Sequence, residues 1–283
     1  MRNDSKFCHN CGIKLVGRFC AACGQKALPL SLTLHDFVHD LTHEILHVDG
    51  RIVQSIRRLL LSPGFLTREY VHGRRARWIS PIRLYLIFSV GFFALSALTG
   101  FRVGVTDTPR EPGWNFSFGN APQVGMAGSD TDGEAEAKKL GFESLAALEE
   151  AVNRALLAWV PRIMFVLLPL FAWLVALAYR QVDRNYLHHL IFSVHVHAAW
   201  FAAAAVAKAV ELASRPVGDV LGKLAVMFAA VYTVLALRHV YGRVRFSFAR
   251  IAFVLGVYLA AFVAAFATIV IPVVLSRMLT QPT

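Results

Sequence analysis

Charge is what this sequence has least of. Of its 283 residues only 17% are Asp, Glu, Lys or Arg, whereas 56% are hydrophobic and the mean hydropathy is +0.52. That balance excludes an ordinary soluble domain, because water cannot solvate so apolar a surface. Acids are scarcer than bases, 18 against 29, and the formal net charge is +11. In a soluble protein this excess would suggest nucleic acid; in so hydrophobic a chain it points first to anionic lipid and to membrane orientation. No G-x-x-x-x-G-K-[ST], no G-x-G-x-x-G after a strand and no G-x-S-x-G is present, which argues against nucleotide-driven catalysis and a serine-elbow hydrolase. The first thirty residues are polar and lack an apolar h-region, so no secretory signal peptide is expected. No fixed-period repeat is visible.

Cysteine is absent after residue 23. The four present, Cys8, Cys11, Cys20 and Cys23, form two knuckles spaced C-x2-C-x8-C-x2-C, each followed by glycine, Gly12 and Gly24. Each C-x2-C lets two thiolates converge on one ion, and glycine allows the positive φ that such a turn needs. A structural zinc ribbon is the expected reading; a disulfide pair or a loosely held iron are the alternatives. Thiolates kept free for a metal require a reducing compartment, so this end is expected in the cytoplasm.

Apolar runs of about 20 residues, the length that spans a bilayer, occupy roughly 82–99, 157–178, 187–207, 220–237 and 251–275. The second carries Pro161 and Pro169, which favours a bend, and the last is expected to end near Pro272. The fold class is therefore an all-α polytopic membrane protein of about five transmembrane helices with a small N-terminal four-cysteine zinc ribbon. The expected organisation is a ribbon over 1–28, amphipathic cytoplasmic helices over 29–81 and a first span over 82–99. An extracytoplasmic connection over 100–154, flexible to about Glu134 and then helical from about Phe142, leads to the remaining spans over 155–283. Residues 1–83 hold thirteen Lys and Arg against six acids, and residues 100–154 hold five against nine. The loops with Arg180 and Arg184 and with Arg238, Arg243, Arg245 and Arg250 fall on the basic side. The positive-inside rule then predicts a cytoplasmic N-terminus, an extracytoplasmic C-terminus and a bacterial inner (plasma) membrane.

Leu34, Phe37, Val38, Leu41, Ile45 and Val48 make one apolar stripe at helical spacing, and a second amphipathic stretch, Ile52 to Leu61, breaks at Ser62-Pro63-Gly64. Arg57 and Arg58 are expected against anionic headgroups or on a solvated face. His35, His39, His43 and His47 recur every four residues beside Asp36, Asp40 and Glu44. This ladder reads as a solvated polar face, a second metal site or a pH-sensing element. Within it His43-Glu44-Ile45-Leu46-His47 spells H-E-x-x-H, in which two imidazoles hold zinc and Glu44 is general base. A third ligand is hard to find, since Val53 stands where the extended motif has its third histidine and Glu69 lies beyond Pro63-Gly64.

In the third span His195 and His197 are candidate intramembrane functional groups, because ionisable side chains at membrane depth are costly. The alternative is a neutral histidine that hydrogen-bonds within the bundle. His188 and His189 read as interfacial. Arg162, Lys208, Glu211, Asp219 and Lys223 share a similar depth near the outer side, with Lys208 and Glu211 an i, i+3 pair.

Several motifs carry a family resemblance. They are Phe19-Cys20-Ala21-Ala22-Cys23-Gly24-Gln25-Lys26, His47-Val48-Asp49-Gly50, Ser62-Pro63-Gly64, Arg68-Glu69-Tyr70-Val71-His72-Gly73-Arg74-Arg75-Ala76-Arg77 and Ser80-Pro81-Ile82-Arg83-Leu84-Tyr85. Together they resemble an uncharacterised bacterial membrane protein family with an N-terminal zinc ribbon and a domain of unknown function. The likeness is close over 7–99 and looser at His195-Val196-His197-Ala198, and it implies architecture without an activity. Three functions are weighed. The first is a non-enzymatic membrane protein for transport, sensing or envelope assembly, whose ribbon docks a cytoplasmic protein partner or orders the His-rich helix. The second is a membrane-associated metallohydrolase using His43, Glu44 and His47. The third is a nucleic-acid-binding ribbon with Lys6, Lys14, Arg18 and Lys26, which has only Phe7 and Phe19 for base stacking and is not expected to bind nucleic acid.

Overall fold

The computed structural model describes residues 6–27, 51–99, 130–242 and 247–279. Among them the regular elements are eight helices: α1 (Arg51–Leu61), α2 (Phe65–Val71), α3 (Pro81–Thr99), α4 (Asp130–Lys139), α5 (Leu145–Tyr179), α6 (Tyr186–Ala213), α7 (Arg215–Tyr241) and α8 (Ser247–Leu279). Five are long and apolar enough to cross a membrane, namely α3, α5, α6, α7 and the Phe248–Val273 stretch of α8. The chain is a membrane-spanning helical protein with four cysteines gathered at its N-terminal end.

The helix ends follow local chemistry. Ser80 caps α3, its hydroxyl accepting from the Arg83 N–H at 3.4 Å, and Pro81 takes the first helical position, where no N–H is needed. Asn185 caps α6 by accepting from the Leu187 N–H at 3.0 Å. Gly73 (φ 79°) closes α2: its N–H donates to Tyr70 O at 3.1 Å and the Arg74 N–H to Glu69 O at 2.9 Å. That pair is the left-handed glycine stop. Gly141 ends α4 in the same way, with Phe142 N–H donating to Ala137 O at 3.0 Å. Two boundaries differ from expectation. α4 begins at Asp130, inside the stretch expected to be irregular, and α8 runs through Pro272 to Leu279. A proline inside a long apolar helix removes one donor without ending the helix when neighbours or side chains absorb the change.

The chain divides into two compact units. The first comprises, within the described residues, the ribbon, α1, α2, α3 to Ser89, α5 from Leu168, α6 to Phe201, α7 from Ala230 and α8 to Leu255. Its α6 stretch from Ile191 to Ala199 is buried on every side, Ser193, His195 and His197 included. Tyr70, Leu187 and Ile191 form one core cluster with Ile82 and Leu190. Tyr232 donates its hydroxyl to the Leu59 carbonyl at 2.7 Å, satisfying an acceptor in the last turn of α1. Gly64 (φ 78°) turns the chain between α1 and α2, and a Cβ there would lie 2.8 Å from Val240 Cγ2 and 3.0 Å from Ala236 O.

The second unit contains the remaining parts of α3 and α5 to α8 together with α4. Ala137, Phe142, Leu148, Val152, Leu156 and Ile269 form its core. Ser144 caps α5 by accepting from the Ala147 N–H at 3.2 Å, while Glu134 on α4 accepts from the Leu145 N–H at 3.3 Å. A Cβ on Gly218 would come 2.6 Å from Glu211 Cα, so α7 can start against the end of α6 only with glycine there.

Candidate metal centre

The ribbon is one hairpin used twice. In the first copy Cys8 N–H donates to Ile13 O (2.8 Å), Gly12 N–H to Cys8 O (2.8 Å) and Leu15 N–H to Lys6 O (2.9 Å). Twelve residues later Cys20 N–H donates to Gln25 O (2.9 Å), Gly24 N–H to Cys20 O (2.9 Å) and Ala27 N–H to Arg18 O (2.8 Å). The bridges Phe7 with Lys14 and Phe19 with Lys26 keep the same offset. A twelve-residue repeat is therefore present, and the residues share it too: Phe7, Cys8, Cys11, Gly12 and Lys14 recur as Phe19, Cys20, Cys23, Gly24 and Lys26. Gly12 (φ 76°) and Gly24 (φ 69°) make the knuckle turns, and a Cβ on either would meet nothing within 4 Å, so backbone conformation alone selects glycine.

The two hairpins bring four thiols together. Cys8 Sγ lies 3.6 Å from Cys23 Sγ and Cys11 Sγ 3.4 Å from Cys20 Sγ, and all four sulfurs lie within 4.8 Å of one another. These separations are far beyond a disulfide bond of about 2.05 Å. They bracket the ~3.8 Å edge of a thiolate tetrahedron with metal–sulfur bonds of about 2.3 Å. The set can hold a metal ion. Backbone N–H groups of Cys23 and Ala22 favour the Cys20 thiolate and lower its pKa to about 6. At Cys11 the Ile13 N–H favours the thiolate, but the hydrogen bond that its thiol donates to the Cys20 thiolate, burial, and the Cys23 and Cys8 sulfurs outweigh it and raise the pKa to about 12. Without a cation Cys11 keeps its proton near neutral pH; a bound metal displaces it.

Gln25 ties this ribbon to the chain ahead of α3. Its Nε2 donates to Gly73 O at 2.7 Å, and its Oε1 accepts from the N–H of Arg75 (3.1 Å) and of Ala76 (3.0 Å). The turn is held from its other side as well. Arg74 chelates Glu69 with both Nε contacts at 2.9 Å, Arg75 stacks over Tyr70 at 4.8 Å, and Arg51 donates to Ala76 O at 2.7 Å. The Arg74 hydrogen bonds, acting against partial burial, hold the Glu69 carboxyl below the usual carboxylate range. Glu69 is thus committed to Arg74.

His35, His39, His43 and His47, with Glu44, lie outside the described residues. His195 and His197 are inside them and both are buried. His195 Nδ1 lies 3.1 Å from Thr67 Oγ1, with the Tyr70 ring edge-on at 6.5 Å. His197 donates through Nδ1–H to Ser193 O at 2.8 Å and packs among Phe171 and Trp200, while the Ser193 hydroxyl donates to Leu168 O at 2.8 Å. The two histidines therefore have separate partners and share no site.

His189 is enclosed by the protein, with only 1% of it exposed. Its Nε2–H donates to Asp183 O at 3.2 Å, which leaves Nδ1 to accept from the Tyr241 hydroxyl at 2.7 Å. The tautomer follows because a carbonyl can only accept. His188 instead pairs with Asp183 at 2.7 Å. Burial works against the Asp183 carboxylate, but the Asn185 N–H and His188 outweigh it and hold its pKa below the usual range. Lys208 Nζ lies 2.9 Å from Glu211 Oε2 with both side chains almost fully enclosed, the i, i+3 pair expected of them; the contact is ionic, its angle being off hydrogen-bond alignment.

Residues 49–93 match the model of a family described as a protein of unknown function (DUF3667). The matched stretch contains α1, α2, the turn gripped by Gln25 and the first part of α3. No curated protein and no solved structure matches the chain. Gln25, Thr67 and Tyr70 are site residues to which motif reading assigns no role, although Gln25 and Tyr70 lie within the motifs that carry the family resemblance. Gln25 sits directly after the second knuckle glycine, where a side chain projecting from the hairpin is the available signal; Thr67 and Tyr70 share one face of a seven-residue helix, too short for periodicity to speak.

Proposed function

We propose that this chain is a non-enzymatic integral protein of a bacterial inner membrane, with the N-terminus cytoplasmic and the C-terminus outside. Its ribbon holds one structural zinc and braces the basic turn ahead of the first span. Zinc is favoured because four thiolates in a closed tetrahedral set suit it and leave no open position for a substrate. The charge distribution and the need for reduced thiols support the orientation.

The observation that carries the reading is the grip of Gln25 on Gly73, Arg75 and Ala76. Through α2 that turn is continuous with Thr67, whose hydroxyl meets His195. A chain of contacts from metal site to buried histidine is what coupling between a ribbon and a helical bundle requires. Among transport, sensing and envelope assembly, it favours sensing. Arg57 and Arg58, both exposed on α1, fit anionic headgroups under this orientation.

Metal analysis of the purified full chain tests the reading. About one zinc per chain is expected, as for one closed four-thiolate site. Cys8→Ser and Cys20→Ser should lose it together with most of the protein's abundance; full zinc and normal abundance in both variants would refute the ribbon. A second zinc that disappears in His43→Ala would instead favour the hydrolase reading.

A further inference from the structure

The ribbon's outer surface is unusual for so small a module. Phe19 is 61% exposed, Phe7 58%, Ile13 49% and Val16 95%. Lys6, Lys14, Arg18 and Lys26 are all exposed too, and residues 6–27 contain no Asp or Glu. Because Phe7 bridges Lys14 and Phe19 bridges Lys26, each hairpin sets an aromatic ring beside an ammonium group on one face. The twelve-residue repeat makes Ile13 the counterpart of Gln25. One hairpin uses that position to grip the turn at Gly73–Ala76; the other leaves it to an exposed apolar side chain.

The ribbon's location narrows what this surface meets. Ala76 is five residues before Pro81, the first residue of a span-length apolar helix, and five residues reach at most about 18 Å. The grip of Gln25 therefore keeps the ribbon at the end of a span. Aromatic and aliphatic side chains interleaved with basic residues, and free of acids, are the chemistry of elements that rest in the headgroup region. A second copy would bring like charges together.

We propose that the ribbon docks on the surface of the anionic bilayer, with Phe7, Ile13, Val16 and Phe19 entering the headgroup region and Lys6, Lys14, Arg18 and Lys26 contacting phospholipid phosphates. This rests on the chain spanning a membrane and not on which metal the ribbon holds. The test places a photoreactive diazirine amino acid at Val16 of the full chain. The protein is reconstituted in vesicles of phosphatidylcholine alone or mixed with phosphatidylglycerol, and adducts are identified by mass spectrometry. Phospholipid adducts are expected, several-fold more with phosphatidylglycerol, falling about fivefold for each of Lys14→Gln and Lys26→Gln. Adducts mainly with a second copy or another protein, or a lipid yield indifferent to phosphatidylglycerol, would overturn the proposal. Metal content of the same samples is read separately. Bound metal without lipid adducts sinks the docking surface alone, whereas no bound metal in the wild type sinks the ribbon reading.

Discussion

The two units of the molecule handle charge differently. Among the described residues, the unit with the ribbon has sixteen Lys and Arg against two acids, Glu69 and Asp183, while the other has eight against nine. With acids so rare, the first unit steadies its arginines on rings and carbonyls. Arg58 lies over Phe65, Arg75 over Tyr70 and Arg238 over Phe248, and Arg250 donates to Ala178 O. A planar guanidinium suits such contacts in a way that an ammonium does not. The second unit also sets Arg162 over Trp159 but pairs opposite charges as well, Lys208 with Glu211 and Arg154 with Glu150. A cationic excess can thus be carried with few ion pairs, Arg74 on Glu69 among them.

This contrast can be broken at several points. The largest effect is expected in the second unit: Lys208→Met strands an enclosed carboxylate and should cost about 3–5 kcal/mol. Lys208→Met with Glu211→Leu should recover most of that, as read by thermal unfolding in detergent; a single variant as stable as wild type would show that the pair holds nothing. Next come the close approaches. Gly218→Ala drives a Cβ into the Glu211 backbone and Gly64→Ala meets Val240 and Ala236, each costing about 1–3 kcal/mol. Equal losses would mean that both units depend on glycine contacts whatever their charge. Gln25→Ala is smaller, about 1–2 kcal/mol for three hydrogen bonds at a partly solvated site. Its signature is faster amide exchange at Arg75 and Ala76 with metal retained. Smallest is Glu69→Gln, expected at under about 1 kcal/mol because Arg74 is 40% exposed. The carboxyl pKa is depressed below its ordinary 4.5, so the stabilisation is complete above that value and fades as pH falls through the folded value. A wild-type stability curve parallel to that of Glu69→Gln through this acid range would remove the ion pair from the account.

Much of the architecture was legible because it depends on composition and spacing. Apolar runs of bilayer length become helices wherever the backbone must satisfy itself, and doubled C-x2-C-G knuckles converge because each turn is local. Lys208 and Glu211 were readable because i, i+3 neighbours meet on any helix. What could not be read has non-local causes. That His189 is enclosed could not be read from its place beside His188, because it depends on Tyr241 and the Asp183 carbonyl, which satisfy both ring nitrogens. The ribbon's repeat is written in the residues, Phe7 to Lys14 against Phe19 to Lys26, but two copies are too few for a period to stand out along the chain.

By itself the sequence determined a helical membrane protein with a four-cysteine cluster and a basic end, since hydropathy, local turns and net charge need no distant partner. Only the tertiary structure decided that Gln25 grips the turn before the first span, that Thr67 meets His195, and that His195 and His197 occupy separate surroundings. Those contacts join residues far apart in the chain, and spacing along a chain carries no information about which distant groups will satisfy one another's hydrogen bonds.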